Sequence, residues 1–156
     1  MDLKSKRVLV IGLARTGSEC ARFLARQGAD VLISDLRSPE ELSPAVAALA
    51  GLPIEYRLGG EDPNCFAAVD YVVPSPGVAM ENFLLREAAA RRIPILSEIE
   101  LAGRFFTAPV IAITGTNGKS TTTTLIGEIL RSAGHRVFVG GNLGAPFIGA
   151  VLEKWD

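Results

Sequence analysis

A chain of 156 residues holds one full domain or two small ones at about 100 to 200 residues per domain, which excludes a large multidomain enzyme. With 48% hydrophobic and 21% charged residues and a mean hydropathy of +0.29, it carries ample material for a core, so intrinsic disorder is excluded. Sixteen Lys and Arg face 17 Asp and Glu for a net charge of −1, without the dense basic block that neutralises a phosphate backbone, so no nucleic-acid partner is expected.

The apolar runs, such as 110–113, fall far short of the roughly 18 residues that cross a bilayer. The polar start from Met1 to Lys6 has no signal-peptide core behind it. A cytoplasmic protein without a membrane partner is expected. Cys20 and Cys65 stand far apart with no CxxC spacing and no nearby histidine, the pattern of two reduced, partly buried thiols and not of a zinc site or disulfide framework.

Short runs rich in Val and Ile alternate with segments of helical period, which predicts βαβ units, a parallel sheet and the α/β class. In chain order, Arg7 to Ile11 reads as a buried strand, followed by a glycine turn from Gly12 to Gly17 and a helix from about Ser18 to Gln27 that Gly28 stops. A second strand, Val31 to Ser34, ends at Asp35; Ser38 as N-cap and Pro39 at the first helical position open a helix running to Ala50. Ile54 to Leu58 is a weaker strand. Asp70 to Val73 is another, running into Pro74, Ser75, Pro76 and Gly77, where neither strand nor helix interior can continue. A helix from Glu81 to Arg92 and a strand from Ile93 to Leu96 complete a first unit, 1–97.

A second unit, 98–156, restarts the pattern: a strand from Val110 to Thr114, a glycine-rich turn, a helix from Lys119 to Ala133, a strand from Arg136 to Val139, a turn from Gly140 to Gly144 and a helix to about Lys154. Two strands are too few to bury both faces of a sheet, so this unit reads as the incomplete first part of a domain. Glu98 and Glu100 fall at a helix start and read as helix-dipole partners. His135, the single histidine, sits in a surface turn, and Trp155 reads as packing a helix end.

Gly115, Thr116, Asn117, Gly118, Lys119, Ser120 and Thr121 follow an apolar run and open a helix. In such a loop the glycines let backbone N–H groups converge on a phosphate and the helix N-terminus adds partial positive charge. The lysine meets the β and γ phosphates, and the Ser120 hydroxyl can bind Mg²⁺. The commonest P-loop pattern wants glycine at position 113, where this chain has isoleucine, so the loop is a variant form. ATP and Mg²⁺ are the expected ligands.

Gly12 to Gly17 also joins a strand to a helix, with Asp35 closing the next strand, nearly a dinucleotide fingerprint. Ala14 stands where the second glycine would let backbone approach a pyrophosphate. Three readings stay open: a nucleotide diphosphate held near Arg15 to Gly17 with help from Arg37 and Asp35, an NAD site, or a structural turn.

Taken together, VLVIGLARTG (8–17), SPGV (75–78), SEIEL (97–101), ITGTNGKST (113–121) and GGNLG (140–144) resemble the amino-terminal part of a Mur ligase, most closely the D-glutamate-adding branch of that family. The resemblance runs through essentially all 156 residues in order. It implies a Rossmann-like parallel-sheet domain over 1–97 that binds a UDP substrate, followed by the beginning of a P-loop ATP-binding α/β domain over 98–156. The implied reaction activates the carboxylate of UDP-N-acetylmuramoyl-L-alanine as an acyl phosphate and joins it to the amine of D-glutamate, in cytoplasmic peptidoglycan precursor synthesis. By the same resemblance Arg15, Thr16, Asp35, Arg37, Ser75, Gly77 and Asn142 meet the UDP substrate, the loop 115–121 holds ATP with Lys119 as the catalytic residue, and Ser120 is a Mg²⁺ ligand. It further implies a monomeric full-length enzyme and a fragment that by itself is inactive, with self-association of the fragment left open. Two alternatives remain at this point: a non-catalytic nucleotide-binding module, and a related Mur or folylpolyglutamate-type ligase with another substrate.

Overall fold

A computed structural model of the chain describes residues 1–141 and 144–155. Four strands, β1 (Arg7–Ile11), β2 (Asp30–Asp35), β3 (Ile54–Leu58) and β4 (Tyr71–Pro74), form one sheet in the order β3-β2-β1-β4, and every pair is parallel. Alternate residues of the central strands feed two separate cores. Val8, Val10, Val31, Ile33 and Val73 point to one face and Leu9, Ile11, Leu32 and Val72 to the other. Both faces are covered, as a parallel sheet requires.

The first face is covered by α1 (Arg15–Arg26), through Cys20, Phe23 and Leu24, and by α2 (Pro39–Ala47), through Leu42. The second is covered by a 3₁₀ turn, Pro63–Phe66, and by α3 (Phe83–Ala90), through Leu84, Leu85 and Ala88. Two later helices, α4 (Glu98–Gly103) and α6 (Phe147–Leu152), also join the first face: Leu101, Ala102 and Ile148 are fully buried in the same cluster as Val10 and Leu24. Phe105 meets Phe23 edge-on at 5.0 Å, and Phe106 meets Phe147 at the same separation. Burying Ile148 alone is worth about 2 kcal/mol.

The expected Ser38 cap forms, and two helices start at other residues than expected. Ser38 and Glu41 form a reciprocal capping box at the start of α2, and Asn82 caps α3 by accepting the Leu85 N–H, which starts that helix two residues later than its hydrophobic period suggests. α1 begins at Arg15, ahead of the predicted Ser18, because Gly12 at φ +88° turns the chain immediately and Ala14 already serves as the extended N-cap.

Three predicted strands are corrected. Ile93 to Leu96 is reduced to a single bridge, Val72 to Ile95, because Pro94 has no N–H to extend the ladder. Val110 to Thr114 and Arg136 to Val139 make no ladder at all. A parallel strand exists only through a hydrogen-bonded neighbour, and among the described residues neither segment has one. Val110 and Ile111 stay exposed, whereas Arg136 and Phe138 pack on Trp155 instead, at 4.3 Å and 5.6 Å. Between those segments α5 (Lys119–Ser132) forms as its period predicts, but Gly127 is its single buried residue.

Candidate functional site

The order β3-β2-β1-β4 places consecutive connections on opposite sides of β1, so the crevice beyond the carboxyl ends of β1 and β4 is a topological switch point, where open α/β sheets bind ligands. The loops after β1 and β4 meet there. A cleft of about 280 Å³ is lined by Ala14, Arg15 and Thr16 from the first, Ser75, Pro76 and Gly77 from the second, and Gly141, Gly144 and Pro146 from the turn ahead of α6. Of the residues expected on a UDP substrate, Arg15, Thr16, Ser75 and Gly77 thus share one cleft. Asn142 lies outside the described residues.

Ser75 is buried, and its hydroxyl donates to the Gly12 carbonyl at 2.7 Å while its N–H donates to Ile11 at 2.8 Å. Its side chain therefore joins the two loops. The loops approach so closely that a Cβ on Gly17 would lie 1.9 Å from the Gly12 oxygen and 2.6 Å from the Ser75 hydroxyl. This is the physical need for glycine at the end of the ARTG motif. The first N–H groups of α1 have no intrahelical partner and Ala14 provides no side-chain cap, so they are available to an anion at this end of the cleft.

Asp35 and Arg37 form the neighbouring edge at the end of β2. The Asp35 carboxylate accepts the Leu13 N–H at 2.6 Å, the Arg37 N–H at 2.9 Å, and the Arg37 guanidinium through Nε at 3.0 Å and Nη2 at 2.7 Å. Burial by itself would raise its pKa. The Arg37 side chain and the two backbone donors outweigh that and hold the carboxyl below the ordinary aspartate value. Asp35 thus holds the glycine loop and Arg37 in place, and nothing local in the sequence signals its tie to Leu13.

The loop 115–121 is exposed and presents the groups a phosphate needs. Gly118 at φ +78° is the left-handed N-cap of α5, so the helix N-terminus opens directly onto the loop. Lys119 Nζ donates back to the carbonyls of Gly115 and Thr116 within the loop. Among the described residues no cluster of three His, Cys, Asp or Glu is arranged to hold a metal.

Elsewhere, Glu98 is buried and accepts the Ile148 N–H at the start of α6, so it caps a helix other than its own. Burial pushes its carboxyl up, partly offset by the Ile148 and Phe147 N–H groups. Cys20 and Cys65 are buried free thiols, both pushed up in pKa by burial. His135 is exposed in the turn after α5. No helix is long and apolar enough to cross a membrane among the described residues.

Residues 6–97 match the profile of the MurD-like N-terminal domain of Mur ligases, and residues 113–150 that of the Mur ligase middle domain. The chain is 52% identical over 153 residues to a UDP-N-acetylmuramoylalanine--D-glutamate ligase of Geotalea uraniireducens, covering 98% of this chain and 34% of that protein. It is 53% identical over 148 residues to the ligase of the same name from Geobacter metallireducens, covering 95% of this chain and 33% of that one. It therefore spans about a third of the length of these curated relatives. Among solved structures it is similar to a pseudomurein peptide ligase type C from Methanothermus fervidus, at 29% identity and a TM-score of 0.54, covering 83% of this chain and 27% of that one. With a Rossmann-type parallel sheet, a glycine loop closed by Ser75 and a second, phosphate-type loop in the order both profiles require, this chain belongs to the Mur ligase family.

Proposed function

We propose that the chain supplies the UDP-substrate site and the phosphate-binding loop of an ATP-dependent ligase that joins D-glutamate to UDP-N-acetylmuramoyl-L-alanine in cytoplasmic peptidoglycan precursor synthesis. The observation that carries this reading is the single cleft at the switch point, shared by Arg15, Thr16, Ser75 and Gly77, in a chain half identical over nearly its whole length to proteins named for that reaction. In this reading residues 1–97 are the UDP-substrate domain and 98–156 begin the ATP-binding domain.

The α1 N-terminus and Arg15 hold the diphosphate, where an anion gains from free N–H groups and helix dipole together. Arg37 stays oriented by Asp35, with one edge of its guanidinium left for the ligand. In ATP, the phosphates take the donors of 115–121, and Lys119 exchanges its two carbonyl contacts for the β and γ oxygens. Charge that develops as the γ-phosphoryl group passes to the substrate carboxylate is then met by Lys119. Ser120, in the first turn of α5, would hold a Mg²⁺ ion through its hydroxyl, and that ion would supply positive charge against the phosphates.

Calorimetric titration of the chain tests this directly. UDP-N-acetylmuramoyl-L-alanine should bind, UDP more weakly, and NAD not at all; Lys119→Ala should abolish ATP·Mg²⁺ binding and leave the UDP ligands unaffected. Competition of NAD with UDP, or equal ATP curves for parent and Lys119→Ala, overturns the reading.

A further inference from the structure

Four polar residues are buried in the described structure: Ser34, Asp35, Ser75 and Glu98. The first three stand at the carboxyl edge of the sheet. Glu98 does not, yet the residue is only 6% exposed. An apolar side chain there would avoid the cost of desolvating a charge, so a buried carboxylate is best explained by the geometry it fixes. Its Oε1 accepts the Ile148 N–H at 2.5 Å. Pro146, the N-cap residue of α6, provides no side-chain cap. Glu98 does so instead, from a helix about fifty residues earlier in the chain.

The two described ends of the turn ahead of α6 are Gly140 and Gly141 on one side and Gly144 and Ala145 on the other. Gly141 donates to the Ala145 carbonyl at 2.9 Å, Gly140 and Ala145 form a bridge, and Pro146, with its φ fixed by the ring, links Ala145 to Phe147. The direction in which α6 starts therefore sets where Gly141, Gly144 and Ala145 lie. Gly141, Gly144 and Pro146 form the wall of the cleft that faces the loops of Arg15 and Ser75. Those two loops are tied to the sheet independently, through Ser75 to Gly12 and Asp35 to Leu13. The third wall has Glu98 as its polar tie to the sheet domain.

We propose that Glu98 is a positioning residue for the substrate cleft: by holding the Ile148 N–H it sets Gly141, Gly144 and Pro146 opposite Arg15 and Ser75, as the wall that faces the remainder of the substrate when those two loops hold the UDP group. The identity of that substrate rests on the function proposed above; the link from Glu98 to the turn does not.

The test compares the parent chain with Glu98→Gln, which keeps an acceptor oxygen, and with Glu98→Ala and Glu98→Leu, which remove it with and without leaving a void. Each is titrated with UDP and with UDP-N-acetylmuramoyl-L-alanine, and amide hydrogen exchange is followed without ligand. In Glu98→Ala and Glu98→Leu the preference for the full substrate over UDP falls about tenfold while UDP affinity stays within twofold, and Glu98→Gln restores it. Exchange at Ile148 and Gly141 rises at least tenfold in the same two variants, with Leu13 and Ser75 unchanged. The proposal is overturned if both acceptor-free variants keep the parent preference, if Glu98→Gln is as impaired as they are, or if Leu13 and Ser75 lose protection along with Ile148. A parent chain with no preference for the full substrate overturns the proposed function instead, and the exchange pattern then decides by itself whether Glu98 holds the turn.

Discussion

Asp35, at the end of β2, ties the glycine loop to a neighbouring cation. Its two oxygens receive four donors from Leu13 and Arg37, so the carboxylate fixes the backbone of the glycine loop and the orientation of one cation together. Asp35→Asn keeps an acceptor but loses the charge that strengthens those bonds, and should cost about 1 to 3 kcal/mol at neutral pH in urea unfolding. The pH dependence has a definite sign. A carboxyl whose folded pKa is depressed contributes stability that is fully present above its unfolded value, about 4, and is lost as pH falls through the folded one. The gap between parent and Asp35→Asn should therefore be constant from pH 7 to about 4 and shrink below that; a gap that widens on acidification contradicts this account. In the sequence Asp35 was visible as a candidate because it closes a strand after a glycine loop. Its partner Leu13 was not, since the Leu13 N–H comes to it only when β1 and β2 pair.

At the scale of elements, the same substitution has opposite effects in two helices because of what surrounds them. Gly17 in α1 lies against the Gly12 carbonyl and Ser75, so the Cβ of Gly17→Ala cannot be placed without separating the two loops. A loss of about 2 to 4 kcal/mol and of UDP binding is expected. Gly149 in α6 has open space where its Cβ would go, and Gly149→Ala should gain about 0.5 to 1 kcal/mol from helix propensity. Denaturant melts of both variants check the pair, and a stabilised Gly17→Ala would show that the close approach of the loops is not needed. Elements whose signals lie within a few residues were legible from the sequence, such as the Ser38 cap of α2 and the glycine-to-helix passage at Gly118. Strands were legible only where a partner exists. Arg7–Ile11 and Val110 to Thr114 are both short apolar runs ahead of a glycine loop, yet only the first has neighbours on both sides.

Across the whole molecule, burial is unevenly distributed. The sheet, α1, α4 and α6 share one core, whereas α5 contributes a single buried residue and leaves Leu125 and Ile129 exposed. An isolated helix of 14 residues is marginal in water, so α5 depends on packing it does not have here. Hydrogen exchange should show α5 amides exchanging orders of magnitude faster than those of β1 and α1, with Ile148 protected like the sheet despite its position late in the chain. Equal protection of α5 and β1 would mean that α5 is held by contacts absent from this structure.

The sequence by itself determined the α/β class, both glycine loops and the Ser38 cap, because each rests on periodicity or spacing between residues that are near neighbours along the chain, and the family resemblance, because five motifs occur in order along it. Tertiary structure decided which apolar runs become strands, that α4 and α6 complete the core of the first sheet, that Asp35 holds Leu13, and that Glu98 caps α6. Each of these depends on a hydrogen-bond or packing partner elsewhere in the fold, supplied by strand pairing or by the meeting of helices far apart in the chain, and no local pattern encodes such a partner.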